Sequence, residues 1–588
     1  MSLFAYLPAL QAQPGGRVAA DEPPVPRLLE MPGLLNTPAA FPANAARSTG
    51  VSGPVTEEWV ARYNRLKTNG TTAVAIALDA AGDVYITGES YNGTDSDFAT
   101  IKYARATGKP VWIARYNGAA NGNDYPTAIA VDAAGNVYVA GYSGLGINND
   151  YTTVKYSGAA GQQQWAAHYN GPANADDKAR SISVDAAGNA YVTGNSYNGS
   201  NYDIATIKYA RATGQPQWVS RYNGPANGGE AAAAVAVNAA GDAYVTGGSF
   251  NGVSSDYVTI KYAKGTGRVR WVSRYDGPAN LDDRASSISL DAAGNVYVTG
   301  GSQPTNGRYD YATIKYAKAT GRQLWASRYN GMGNSDDFAT AMAVDAQGAV
   351  YVTGVSANPV SSDFATVKYA SATGQQLWVS TYDGPDQRFD QASAIGLDAA
   401  GEVYVTGLSY SDTPRISVDY ATVKYSGASG QQLWAARYNG PAGRDDYATG
   451  LAVDAAGNAY VTGFADGGDS YTTIKYARSK KGHDCDDAVT KTDRSTVADA
   501  AQPLVAFEAF PVPTHGQAVI RFQLAADSPV YLVLYDQFGT VVGTLYEGIV
   551  AAGVAQTLAL PTSLPNGVYL CRLLYPGHAE SLRIEVQQ

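Results

Sequence analysis

Along most of the chain, short runs of alternating apolar and polar residues are separated by turns rich in Gly, Asp and Asn, and no run holds the period of an amphipathic helix. The plainest run is residues 290–300, LDAAGNVYVTG: a small and apolar segment, the turn D-A-A-G, then a Tyr/Val/Thr segment. Asp can bond the backbone two residues on and Gly can take positive φ, so the phrase predicts a β-hairpin. It recurs with small changes, its first polar residue standing at Asp79, Asp132, Asp185, Asn238, Asp291, Asp345, Asp398 and Asp454. The steps are 53, 53, 53, 53, 54, 53 and 56 residues, a period that belongs to propellers, solenoids and arrays.

Two further segments complete each unit. A T-[IV]-K-Y strand follows the hairpin, as at residues 100–103, and a W-x-x-R-Y strand follows an A-T-G turn, as at residues 271–275. Four short strands in about 53 residues predict one blade of a β-propeller. The Trp strand occurs at Trp59, Trp112, Trp165, Trp218, Trp271, Trp325, Trp378 and Trp434. Its first copy precedes any hairpin, and the last hairpin and K-Y strand have no Trp strand after them. The N-terminal strand is therefore expected to complete the last blade. The predicted fold is all-β: an eight-bladed β-propeller with one-plus-three strand closure, seven blades being the alternative, followed by a small β-sandwich.

The remaining chain divides by composition. Residues 1–55 read as a signal-like remnant and a Pro/Ala-rich leader, with 2–12 either the end of an export signal lacking its basic part or an unstructured start. Residues 56–478 hold the propeller, 479–503 a charged and polar linker, and 504–588 a Trp-free set of six alternating strands expected to form the sandwich. The chain has 588 residues, 16% charged, with a net charge of −10. An acidic balance without basic runs argues against nucleic acid as a partner, and no segment has the run of about 20 apolar residues a membrane-spanning helix needs. The two cysteines, Cys485 and Cys571, imply no disulfide framework.

The repeat phrases, such as AVDAQGAVYVTG at 343–354, resemble the SBBP-type bacterial β-propeller repeats, relatives of the NHL repeats; the resemblance implies a fold and little about a ligand. The ATG-to-Trp segments, such as ATGKPVW at 106–112, also look like the tryptophan-docking motif of eight-bladed quinoproteins, in which a Trp packs between blades. Residues 504–588 resemble the type A sorting domain of type IX secretion cargo. The matching positions are Pro511 and Pro513 in FPVP, Tyr535 and Asp536 with Gly539, and Pro565, Gly567 and Tyr569 in LPNGVY. FPVP departs from the family's Y-P-N-P at two positions. That resemblance implies export across the outer membrane through the type IX machinery to the cell surface or medium. An ordinary β-sandwich binding module is the alternative.

Comparison of the eight copies separates frame from surface. Tyr recurs at three strand positions in every copy, 24 of the chain's 43 tyrosines, and that repetition reads as packing, as does the Trp set. The connections after T-G and after R-Y vary in length and content and define the expected binding face for a protein or glycan. On it an acid stands eight residues before the hairpin Asp in seven copies: Asp124, Asp177, Glu230, Asp283, Asp337, Asp390 and Asp446, with Thr71 in the eighth. These would begin the innermost strands and ring the channel mouth, where calcium is the candidate ion. The competing reading has each acid capping its own loop or pairing with the recurrent Lys or Arg. The repeats carry no H-E-x-x-H, G-x-S-x-G or phosphate-binding glycine loop and no cysteine. The expectation is a non-enzymatic exported binding or scaffold protein without a cofactor. A quinoprotein-like oxidoreductase, a polysaccharide-active propeller and a purely structural surface component are the alternatives.

Overall fold

The computed structural model describes residues 46–48, 55–64, 71–144, 148–305, 307–358, 360–411, 417–478, 504–510, 519–524, 527–535, 541–561, 564–575 and 578–586. The chain divides into two compact units, residues 1–481 and 482–588. The first is all-β and built from repeated four-stranded antiparallel sheets, the arrangement of a β-propeller. Eight such sheets lie among the described residues. The first runs Thr71–Leu78, Val84–Tyr91, Ser96–Tyr103 and Pro110–Tyr116, and the next six repeat that order. In the eighth, Tyr447–Val453, Ala459–Ala465 and Ser470–Arg478 are completed by Val55–Tyr63, which pairs antiparallel with Ser470–Arg478 in the register Trp59 to Lys475. A short strand, Ala46–Ser48, pairs in parallel with Ser380–Tyr382 on the outer edge of the sixth sheet.

The predicted hairpin forms as its chemistry requires. Asp132 Oδ1 accepts the Ala134 and Asn136 N–H groups at 2.9 and 2.8 Å, and Gly135 takes φ +78°. The first strand of each sheet lies against the first strand of the next, and Thr71–Leu78 lies against Tyr447–Val453. Hydroxyls bridge several of these contacts: Thr127 Oγ1 donates to the Ala179 carbonyl at 3.1 Å, Ser393 Oγ to Ala448 at 2.8 Å and Thr449 Oγ1 to Ala73 at 3.0 Å.

Successive sheets are joined further out by the tryptophans. Trp165 lies 5.9 Å from the Tyr138 ring of its own sheet and 6.3 Å from Tyr209 of the next. Its Nε1 donates at 3.0 Å to the Arg211 carbonyl, which also accepts Lys155 Nζ at 2.9 Å. The ring is seated against Gly214, where an added Cβ would lie 2.6 Å from it. Six interfaces, those of Trp112, Trp165, Trp218, Trp271, Trp325 and Trp378, combine such an apolar plate with a backbone acceptor shared by a Trp and a Lys donor. The two middle strands of each sheet carry most of the buried Val, Ile, Ala and Tyr, in clusters that each draw on two adjacent sheets.

The second unit has two sheets. One orders Leu504–Phe510, Val519–Leu524 and Ala555–Ala559; the other orders Val541–Val550, Ser528–Tyr535, Gly567–Tyr575 and His578–Val586. Ile520, Phe522, Leu532, Leu534, Cys571 and Ile584 are wholly buried in one shared core. Leu504–Phe510 is a seventh strand beyond the six read from the sequence. The leader and the 479–503 linker, apart from residues 46–48 and 55, lie outside the described residues.

Candidate functional site

The polar residues that recur once per unit sort into three sets. Lys serves the hairpin end: Lys102 Nζ lies 3.0 Å from Asp83 and 3.5 Å from Asp79, and Lys424 lies 3.3 Å from Asp398. Arg serves the other end, where Arg221, Arg328 and Arg437 each stand 2.9 Å from the Asp that opens or nearly opens their own third strand: Asp203, Asp310 and Asp419. Arg221 also donates to the Tyr169 hydroxyl of the preceding sheet at 2.9 Å. Among the described residues, no salt bridge joins either cation to a ring acid.

Those acids face their own loops. Asp124, Asp177, Glu230, Asp283, Asp337 and Asp390 begin the first strand of their sheets, and Asp446 stands one residue ahead of it. All seven are wholly buried. One carboxylate oxygen accepts the N–H of the Gly six residues earlier, at 2.7 Å for Asp124 from Gly118 and 2.6 Å for Asp283 from Gly277 and Asp337 from Gly331. Asp177, Asp390 and Asp446 make the same bond to Gly171, Gly384 and Gly440, and Glu230 accepts the Ser249 hydroxyl at 3.1 Å. The turn between glycine and acid is closed by a residue at positive φ: Asn121, Asn174, Asn227, Asn280, Asn334 or Gln387, at +44 to +51°. Burial pushes the Asp124, Asp283 and Asp446 carboxyls up to about 6 and Glu230, Asp337 and Asp390 up to about 7.

The ring acids are spread one per sheet. Among the described residues, the carboxylate triads that gather oxygens within 4.8 Å each take a single ring acid: Asp256, Asp276 and Asp283, and Asp363, Asp383 and Asp390. Asp276 and Asp383 were passed over in the sequence. They stand directly after the R-Y tyrosine, where the other six copies have Asn64, Asn117, Asn170, Asn223, Asn330 and Asn439, so a position-by-position comparison of the copies exposes them.

The Arg position departs twice. His168 replaces it in the second sheet, its Nε2 3.1 Å from the Tyr116 hydroxyl and its Nδ1 3.1 Å from Thr152 Oγ1, with burial holding its pKa down. Thr381 replaces it in the sixth.

The position after each ring acid differs in almost every copy and carries unlike chemistry. Tyr125 pairs across the strand with Tyr142, ring centroids 5.1 Å apart, and Lys178 Nζ lies 5.7 Å from the Tyr142 ring. Tyr447 stacks on Phe464 at 4.9 Å, and Arg284 lies over Tyr309 at 5.8 Å. Beside Tyr125 an open hollow of 390 Å³ is lined by Asn123, Asn148 and Asn149.

Of the sorting-motif positions, Pro511, Pro513, Asp536 and Gly539 lie outside the described residues, and Tyr535 ends its strand. Gly567 opens the strand Gly567–Tyr575, and the buried Tyr569 donates its hydroxyl to the Pro565 carbonyl at 2.9 Å, tying the LPNGVY turn to its own strand.

The SBBP β-propeller repeat family matches residues 111–144, 167–203 and 433–469. No curated protein sequence matches the chain. Among solved structures, quinohemoprotein alcohol dehydrogenase from Comamonas testosteroni is similar at 12% identity over 76% of this chain and 81% of its own, with a TM-score of 0.45. Sqt1 from Chaetomium thermophilum is similar at 10% identity over 71% and 99%, with a TM-score of 0.46. PorZ, a surface component of the type IX secretion system of Porphyromonas gingivalis, is similar at 12% identity over 88% and 82%, with a TM-score of 0.29. Enzymes and non-enzymes stand side by side in this set, and likeness at this level carries no functional argument.

Proposed function

We propose that the chain is an exported, non-enzymatic scaffold in which eight blades close into one ring and present a variable recognition face. The reading rests on one observation: the polar residues that recur in every unit are largely engaged in the frame, whereas the position beside each ring acid changes from copy to copy. Catalysis needs a few acids, bases or nucleophiles converging on one point, whereas recognition needs varied aromatic, amide and charged groups over an area. The loop face carries the second kind. Tyr125, Tyr142, Lys178 and the nearby asparagines make a stacking surface with amide and cationic neighbours, suited to a glycan or to a polar protein surface.

Closure at eight is supported by the strand Val55–Tyr63 in the last sheet and by the Thr449 bond to Ala73. Export to the cell surface by residues 504–588 is supported by the LPNGVY turn and the two-sheet unit. Two measurements test the reading. Glycan-array binding should fall at least tenfold for Tyr125→Ala combined with Lys178→Ala, with the melting curve kept; equal binding by the variant places recognition elsewhere. Removal of 504–588 should leave the protein inside the cells of its host, and unchanged surface display of the truncated chain would refute the sorting role.

A further inference from the structure

The outer rim of the repeated sheets carries its charge unevenly. Three positions lie in the turn before each Trp strand and in the residues leading up to the Trp, and in the second, sixth and seventh sheets they hold only Gly, Ser, Gln or Leu. The fourth sheet fills the same three with Lys264, Arg268 and Arg270, and the fifth has Lys318 and Arg322. All five cations are exposed. The fourth sheet also has Asn238 where every other copy has the hairpin Asp, and its Lys264 turn lies beside that hairpin, the Lys264 N–H donating to Asp242 Oδ1 at 3.3 Å. One unit therefore loses an acid and gains three cations at one end of its sheet.

The stacking of the sheets joins the two sets. The Lys318 carbonyl accepts Trp271 Nε1 at 3.2 Å and the Gly321 carbonyl accepts Ser273 Oγ at 2.6 Å, so the fifth sheet's turn is seated on the fourth sheet's Trp strand. Arg270, directly before Trp271, thus comes beside the 318–322 turn. Among the described residues no salt bridge engages any of the five. The acids of the adjoining hairpin turns, Asp242 and Asp291, are taken by Lys261 at 3.0 Å and Lys315 at 3.7 Å. Lys318 Nζ donates to the Ala293 carbonyl at 2.6 Å, a neutral partner that leaves its charge in place. Arg211, the one cation at these positions in the third sheet, is by contrast matched by Asp132 at 3.6 Å.

Five such cations, in a chain of net charge −10, make a local positive field. Spread over the rims of two adjoining sheets rather than converging on one point, they suit an extended polyanion. Three are Arg, whose planar guanidinium meets paired carboxylate or sulfate oxygens as a fork. A single-stranded nucleic acid would call for exposed rings on which bases stack, and Trp271 and Trp325 are buried. A bilayer interface would call for aromatic or large apolar anchors, and the exposed apolar residues among the cations are Val269, Val272 and Leu324. We propose that the outer rim of the fourth and fifth sheets binds an acidic polysaccharide through Lys264, Arg268, Arg270, Lys318 and Arg322. The site lies at the hairpin end of the sheets, apart from the variable loop face, and neither depends on the other.

The experiment measures binding of the full chain to polygalacturonate and to dextran sulfate by biolayer interferometry, with uncharged dextran as the control. The wild type should bind at least one of the two polyanions and not dextran, at least tenfold more weakly at about 0.3 M salt than at about 0.05 M. Arg268→Gln with Arg322→Gln installs the residue that four other copies carry at that position, so the variant should fold, and its affinity should fall at least tenfold. Arg105→Ser with Lys109→Gln removes two cations from the first sheet, giving it the sixth sheet's residues, and should bind as the wild type does. Tyr125→Ala with Lys178→Ala, on the loop face, should also leave polyanion binding unchanged. Absence of binding to both polyanions, equal losses in the two charge variants, loss in the loop-face variant, or tighter binding to phosphatidylglycerol vesicles than to either polysaccharide would each overturn the assignment.

Discussion

Seating seven of the tryptophans on a glycine of the next sheet makes a quantitative prediction from two neighbouring positions. Gly135, in a hairpin turn, and Gly161, in the turn before a Trp strand, both take positive φ, +78° and +67°. Alanine at either must enter the left-handed region, at about 1–2 kcal/mol. Their surroundings differ. A Cβ on Gly135 meets nothing within 4 Å, whereas one on Gly161 would lie 2.6 Å from the Trp112 ring. Trp112 is held by its Nε1 bond to the Gly158 carbonyl at 3.0 Å and by the Tyr85 and Tyr156 rings, so it cannot withdraw without loss. Overpacking of this kind adds about 1–3 kcal/mol. Gly135→Ala should therefore cost about 1–2 kcal/mol and Gly161→Ala about 2–5 kcal/mol. Equilibrium urea unfolding followed by tryptophan fluorescence reads the difference directly, because all eight tryptophans of the chain are the repeat tryptophans. In a double-mutant cycle, Trp112→Ala should absorb most of the extra cost of Gly161→Ala. Equal losses for the two glycine variants, or strict additivity with Trp112→Ala, would refute the docking.

Three further outcomes follow from the polar frame. His168→Arg should restore the pair that Arg221 makes with Asp203, here with the buried Asp150, whose carboxyl burial pushes up to about 6; stability should rise by about 1–2 kcal/mol and that carboxyl should titrate lower, as carboxylate NMR would report. Asp337 and Asp390, raised by burial from 3.8 to about 7, bind protons more tightly folded than unfolded, so between pH 4 and 7 stability falls as pH rises. Each costs at most about 4 kcal/mol above pH 7, and the melting temperature should be higher at pH 5 than at pH 8; the reverse order would refute it. Asp132, Asp185 and Asp291 run the other way, since their hydrogen bonds from Asn136, Asn189 and Asn295 outweigh burial, and the stability they add is lost as pH drops below about 4.

The period, the hairpin and the four-strand unit were legible in the sequence because each is a local pattern repeated eight times, and the strand that completes the last sheet was legible because its Trp copy precedes the first hairpin. Partner choice was not. Lys and Arg both recur beside several aspartates, and only the register of the strands sends Lys102 to Asp79 and Asp83 and Arg221 to Asp203, leaving the ring acids to their loop glycines. Leu504–Phe510 escaped because LVAFEAF does not alternate cleanly and runs straight into the FPVP motif. Asp276 and Asp383 escaped because Asn to Asp looks conservative one residue at a time. Its meaning depends on carboxylates 20 residues before and 7 after, brought together only when the sheets stack.

In a chain of eight near-copies, residues filled alike in every unit are determined by the frame, and their number says nothing about a site. Departures carry the information, and a lone departure can be absorbed. His168 shows how: an imidazole between Tyr116 and Thr152 keeps the link to the preceding sheet that Arg makes elsewhere. The sixth sheet is different because its departures add rather than cancel. Losing an Arg and gaining an Asp in one unit shifts the formal charge at one junction by −2 relative to the common pattern. At that same strand position Ala46–Ser48 adds its backbone in the register Arg47 to Thr381, so a basic residue from before the first blade stands beside the position where the unit lost its own Arg.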